Sequence, residues 1–422
     1  MHAGLRGFAF LLAVATAAST ADPVVEELFK QTREKVLDNA RRMPRYTCVE
    51  TISRTQYNPS HNAGTCQALV AMRKLSPARG LAAVRDRLRL DVAVVDNSEI
   101  FSWAGAGKFE TNDVGDLAGN GASGSGEFGG FLTSVFGGTP DSIQYVGRRG
   151  GQALFEFNVP VSRSTYRLHL SSAAERLMPY HGAFSVDPAD GDLQQLLVET
   201  DAFQPGDQVC HVEHVMNYSR VKIGKSDFML PDVSTMEALY RNGSESVNET
   251  RYSECREYVG ESTIRFDDVD APAGDSAASK AAVQPLPPKV RLAIALTTPV
   301  NTEAAAAGDA VEGVLLRDAV EKKQVFARAG DKVRGRILRL QQIADAMPRW
   351  VVAIRFDTIQ RGTNAQPISL QALDEGVRAG PPNRRANLVD TAGKPAGSGL
   401  YIFVGAGNLV LDKNFHTEWE TR

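Results

Sequence analysis

The chain has 422 residues, with 47 basic and 50 acidic side chains and a formal net charge of −3 at pH 7. That near balance gives no electrostatic footprint for nucleic acid, and the length exceeds the ~250–300 residues over which one hydrophobic core usually grows, so two domains are expected. Outside the amino-terminal apolar run, no stretch approaches the ~18 consecutive apolar residues of a spanning helix, which excludes an integral helical membrane protein once that run is removed.

Residues 1–21 read as a cleavable secretory signal of bacterial type. Arg6 precedes the apolar run Phe8 to Ala15, which is too short to span a bilayer and has the length of a signal h-region. Ser19 and Ala21 fit the −3 and −1 positions of a signal peptidase site. Cleavage is therefore expected before Asp22, and the residue after the cut is not the cysteine of a lipid-anchored protein. The expected location is periplasmic or secreted.

The mature chain opens with a helix: Val25, Leu28, Phe29, Thr32, Val36, Ala40 and Met43 recur at three- and four-residue spacing, and Pro44 ends it. A strand follows over Tyr46 to Tyr57, then one around Leu88 to Val95 and a partner over Glu99 to Trp103, joined by a turn at Asp96-Asn97-Ser98. The glycine- and serine-rich stretch Gly119 to Gly130 predicts a flexible loop leading into the apolar piece Phe131 to Phe136. From Ile143 onward, short strands alternate with turn signals such as Arg149-Gly150-Gly151, Asp187-Pro188-Ala189-Asp190-Gly191 and Gly224-Lys225. That succession is the signature of a meandering antiparallel sheet.

Residues 270–288 are rich in Ala, Ser, Asp and Pro with almost no large apolar group, too little to order themselves, and so predict a disordered linker. Strands over Val290 to Leu296, Ala310 to Val320, Gln324 to Leu340, Trp350 to Ile359, Pro367 to Ala372 and Leu400 to Val404 then predict a second domain, 289–422, with an irregular loop over Arg378 to Gly399.

Cys48, Cys66, Cys210 and Cys255 are an even set in an exported chain, which predicts two disulfides. Three pairings are possible. The expected one is Cys48–Cys66 with Cys210–Cys255, each closing a short loop within one neighbourhood of the sheet.

Several segments carry resemblances. Residues 22–269 resemble uncharacterised exported soil-bacterial families through "YTCVET", "DRLRLDVAV", "EIFSWAGAGKF" and "CREYVGESTIRFDD". The half containing "HGAFSVDPADGDLQQL" and "MNYSRVKIGKSDFMLP" is similar to the curved antiparallel sheets of the LolA/LolB-like lipoprotein-carrier superfamily. That resemblance implies a half-barrel wrapped around an apolar cavity beneath helices. The C-terminal domain, through "GDAVEGVL", "VFARAGDKVRGRIL" and "WVVAIRFDTIQRGTNAQPISLQA", resembles the small β-barrel of TrbI-like secretion-channel proteins, which implies protein contacts rather than chemistry. Arg328 stands near the place of a proline common in that pattern and the flanking channel elements are absent, so membership of a channel is not implied.

Tests for chemistry leave no catalytic residue, cofactor or metal assigned. Within Cys210-His211-Val212-Glu213-His214, strand alternation lets His211 and Glu213 share a face while Cys210 and His214 point away, which splits the donors. The spacing is also not His-Glu-x-x-His, so a surface His/Glu pair beside a structural cysteine is expected. Gly121 to Ser125 lacks the last glycine of a nucleophile elbow and the Lys-Ser/Thr of a phosphate loop. Phe101, Trp103 and Phe109 either line an apolar pocket or belong to the sheet core.

The expected fold is mainly β (α+β): a curved antiparallel sheet with packed helices, plus a separate small C-terminal β-barrel. The expected function is that of a non-enzymatic cell-envelope protein binding a hydrophobic ligand or an envelope protein partner. Two alternatives stand beside it: an envelope hydrolase assembled from distant residues such as His169, His181 and an aspartate, and a structural scaffold.

Overall fold

The computed structural model describes residues 23–258 and 286–422, apart from 61–63, 96–97, 119–121, 126–127, 139–141, 171–175, 205, 363 and 380–393. The expected signal segment, most of the expected linker, the Asp96–Asn97 part of the turn and most of the expected irregular loop lie outside the described residues. The chain divides chiefly between Glu257 and Tyr258 into two compact units.

In the first unit, helix α1 (Pro23–Arg42) buries Val25, Leu28, Thr32, Val36 and Asn39 along one stripe. The expected stripe ended on Ala40 and Met43; Asn39 takes that place because its amide reaches strand backbone. Strand β1 (Tyr46–Tyr57) keeps the bounds expected from sequence. Helix α2 (Cys66–Leu75) starts where Thr65 accepts a hydrogen bond from the Ala68 N–H, a side-chain cap that satisfies one of the free donors of the first turn. Then come β2 (Ala82–Val95), β3 (Ser98–Trp103), α3 (Val114–Ala118), β4 (Ala122–Ser125) and α4 (Gly130–Phe136). They are followed by β5 (Ile143–Arg149), β6 (Gln152–Val159), β7 (Arg167–Leu170), β8 (Arg176–Leu177), β9 (Tyr180–Val186) and β10 (Leu193–Thr200). The long hairpin strands β11 (Val209–Ile223), β12 (Ser226–Tyr240) and β13 (Glu245–Glu257) complete the unit.

Pairing is antiparallel and runs β5–β6–β9–β10–β11–β12–β13–β1–β2–β3. The last strand, β13, therefore lies beside the first, β1. Strand alternation gives this layer two faces. On the inner face, the β5-to-β11 half packs Phe155, Phe157, Phe184, Val198 and Met216 against α1 and α4 in one core. Phe131 of α4 sits edge-on to Tyr166 and Tyr180 at 4.8 and 5.5 Å, and Phe155 stacks on Phe184 at 5.0 Å. Aromatic pairs in these arrangements contribute about 0.5–1.5 kcal/mol each beyond area burial.

That neighbourhood of β1 and β13 decides the cysteines. The disulfides are Cys48–Cys255 and Cys66–Cys210, not the expected pairs of neighbours in sequence. The meander returns β13 to β1, which brings Cys255 to Cys48. A register shift on β11 between Val209 and His211 turns Cys210 toward α2, where it packs with Leu69 and Leu239.

Among its described residues the second unit is built of strands and the turns between them. It contains β14 (Arg291–Leu296), β15 (Val300–Asn301), β16 (Ala310–Leu315), β17 (Ala319–Glu321), β18 (Gln324–Ala327), β19 (Lys332–Ile343) and β20 (Arg349–Arg361). The rest is β21 (Asn364–Pro367), β22 (Leu370–Ala372), β23 (Gly376–Ala379), β24 (Gly399–Val404), β25 (Val410–Leu411) and β26 (His416–Thr421). From β14 the pairing runs through β26 to β22 on one side, and through β16 to β19 on the other. Leu292, Ile294, Val333, Ile337, Val352, Ile354, Tyr401 and Trp419 meet in a single core. The start of the expected irregular loop is instead strand β23, which pairs in parallel with β24.

Candidate functional site

The other half of the inner face, from β12 to β3, is built differently. Alternation places Glu50 and Ile52 of β1 on this face, with Glu50 opposite Tyr252 and Leu90, and Ile52 opposite Thr250 and Leu88. Met236 stands opposite Asn248, and on β3 Glu99 and Phe101 stand opposite Val94 and Val92. These side chains, with Val114 and Phe128, line a cavity of about 30 Å³.

The lining is mixed. Ile52, Phe101, Val114, Phe128 and Met236 supply apolar walls, while Glu50, Glu99, Asn248 and Thr250 supply polar groups. Both Glu50 and Phe101 are buried. Phe128 closes one side, its backbone N–H donating to Glu99 at 3.3 Å and its ring edge-on to Tyr252 and Tyr46 at 4.8 and 5.9 Å. Beside it, the Ser234 and Tyr252 hydroxyls lie 3.4 Å apart. Tyr46 is fully buried, and its hydroxyl has no hydrogen-bond partner among the described residues. Burial first, and then the neighbouring Glu99 and Tyr218, push that phenol well above its ordinary range, so it stays neutral.

About 30 Å³ is room for roughly two water molecules, far below the ~300–1,000 Å³ of a small-molecule pocket. In this conformation the cavity is a small notch of mixed lining in a packed layer, too small to hold an acyl chain. A guest would have to move Phe128.

Of the three aromatic residues expected at a pocket, Phe101 lines the cavity. Trp103, two residues on, is buried but outside the lining, and Phe109, in the loop after β3, is half-buried and outside it too. The carboxylates were missed. Glu50 shares an alternation phase with Tyr46, Cys48 and Ile52, and that phase was the available signal.

The opposite face of the sheet holds another titratable cluster. His211 and Glu213 share that face as alternation requires, and His214 points inward, where it is buried edge-on to Phe131 at 5.9 Å. The expectation that Cys210 points away fails, because the register shift sets it on the α2 side. His211 Nε2 lies 3.6 Å from Glu199, and His181 Nε2 lies 4.0 Å from the same carboxylate. The side chain of His169, the other histidine of the hydrolase alternative, lies outside the described residues.

No helix among the described residues is long and apolar enough to cross a membrane. No protein-family model matches the chain, and no curated protein matches it. Among solved structures, a LolA superfamily protein from Nitrosomonas europaea is similar over 56% of this chain and 93% of that chain, with 10% identity and a TM-score of 0.21. At that score the likeness carries no argument about ligand or role.

Proposed function

We propose that this chain is a non-enzymatic cell-envelope binding protein, periplasmic or secreted, whose N-terminal unit takes up an amphiphilic guest at the Glu50–Glu99–Phe101 cavity. The observation that carries this reading is two carboxylates set among apolar walls under one aromatic closure. Carboxylates in such a setting favour a guest with a hydrogen-bond-donating or cationic head, and the walls favour an apolar body. The two disulfides support residence in an oxidising compartment. The C-terminal unit serves in this reading as a second contact surface for an envelope partner.

The experiment is displacement of a fluorescent apolar probe from the purified mature chain by a long-chain alkylamine and by the fatty acid of the same length. The amine is expected to displace at a concentration about tenfold lower, the equivalent of about 1.4 kcal/mol. Replacing Glu50 and Glu99 together by Gln is expected to erase that preference, and Phe128→Ala to strengthen both. Absence of saturable probe binding would refute the reading; capture of a protein partner by cross-linking in native envelopes would then favour a scaffold.

A further inference from the structure

The outer face of the first unit carries carboxylates that strand register forces into a row. Glu199 on β10 stands opposite Glu213 on β11, and Glu213 stands opposite Glu237 on β12. On the other side of Glu199, β9 contributes His181. Like charges directly opposite one another across strands are destabilising, so this row needs compensation.

Helix α2, tied to the same face by Cys66–Cys210, compensates only part of it. Arg73 reaches Glu237 at 3.1 Å and Glu245 at 3.0 Å, and Arg79, in the segment after the helix, bridges the same two carboxylates. Lys74 comes no nearer to Glu199 than 3.9 Å. Glu213, in the middle, has no ion pair or side-chain hydrogen bond among the described residues. Burial first, and then Glu237 and Glu199, push its carboxyl up to about 7.

His211 supplies the third group. One donor atom from each of Glu199, His211 and Glu213 lies within 4.8 Å of the others. Ligands 2.0–2.2 Å from a common tetrahedral ion stand ~3.4 Å apart, so small rotations of three side chains on adjacent strands would close the set. Glu199 and His211 keep 17% and 16% of their side-chain surface exposed, which leaves a path from solvent. The His211 imidazole is largely buried beside Glu199, with Nε2 turned toward that carboxylate at 3.6 Å.

We propose that Glu199, His211 and Glu213 form a binding site for a divalent transition-metal cation of the zinc class. One imidazole with two carboxylates suits that class, whereas calcium takes six to eight oxygens and magnesium keeps mostly water and carboxylate ligands. Half-exposed His181 borders the open side, where a fourth ligand or water would sit. The ion would neutralise the middle of the row and tie β10 to β11. This site stands on the face opposite the proposed guest cavity, so neither depends on the other.

The test uses the untagged mature chain, disulfides intact, stripped with a chelator and titrated with zinc chloride by calorimetry, with cobalt(II) as the spectroscopic stand-in. One equivalent is expected to bind, and the cobalt form is expected to show the intense visible band of a four-coordinate ion. His211→Asn and Glu213→Gln are each expected to weaken zinc binding at least about tenfold, while Glu237→Gln, outside the set, changes it less than about threefold. Zinc is expected to raise the melting temperature of the wild type and not of Glu213→Gln, which in chelator should itself melt no lower than the wild type. Absence of stoichiometric zinc binding by the wild type would overturn the proposal, as would wild-type affinity in both His211→Asn and Glu213→Gln.

Discussion

Asn39 and Met229 are joined by two hydrogen bonds: the Asn39 amide donates to the Met229 carbonyl at 3.1 Å and accepts from its N–H at 2.8 Å. Strand β13 pairs with β12 only over Val233 to Leu239, so Met229 lies past the end of that ladder. The helix side chain completes it. Asn39→Ala would leave both backbone groups without this partner in a partly buried place, and a loss of about 2–3 kcal/mol is expected. Urea unfolding of the purified chain measures it, and Asn39→Asp, which keeps only the acceptor, should fall between the two.

A second attachment of α1 is electrostatic and sets an acid limit. Asp192 takes two hydrogen bonds from Arg220, both at 2.7 Å, and one from Lys35 of α1 at 3.0 Å. Burial pulls its carboxyl upward, but Arg220 and Lys35 outweigh burial and hold it below its ordinary value. A carboxyl lowered by folding stabilises fully above its unfolded value of about 3.9, and that contribution is lost as pH falls through the folded value. Asp192→Asn is therefore expected to cost about 1–2 kcal/mol at neutral pH. The gap to wild type should close below about pH 4, as urea midpoints across a pH series would reveal.

The cysteine pairing is open to direct mapping. Non-reducing proteolysis with mass spectrometry is expected to recover Cys48–Cys255 and Cys66–Cys210 peptides. Replacing Cys66 and Cys210 together by Ser should cost about 2–5 kcal/mol. It should also expose α2 to protease first, since Leu69 is the one fully buried side chain that the helix contributes.

In the second unit, Gly335 lies so near β20 that a Cβ there would meet the Arg355 carbonyl oxygen at 1.9 Å. Gly335→Ala is expected to cost about 2–4 kcal/mol, because backbone and not a flexible side chain must yield. Gly407→Ala, with nothing within 4 Å of the added carbon, serves as the neutral control in the same denaturation series followed by tryptophan fluorescence.

Local patterning was legible where an element buries a long apolar stripe or alternates along a sheet. The α1 stripe as far as Val36 and the two ends of β1 could be read from spacing and from Pro44, and the mainly β character from alternating apolar residues. Helix α2 escaped because it buries only Leu69 and so shows no stripe. What long-range register decides was hidden: Cys255 reaching Cys48, Glu199 reaching Glu213, and Phe128 arriving beside Tyr252. Glu50 was hidden for another reason. A charged residue in a strand reads as outward-facing, and only its phase with Tyr46 and Ile52 says otherwise.

The bond between the first strand and the last makes the N-terminal unit a covalent ring from Cys48 to Cys255, with Cys66–Cys210 as a chord across it. A single cut in any loop of that ring, such as the tip around Asp190, opens the circle without separating its parts. Such a clipped unit would run as one piece until a reductant is added. Under proteolysis, a nick there would be a scar and not a loss.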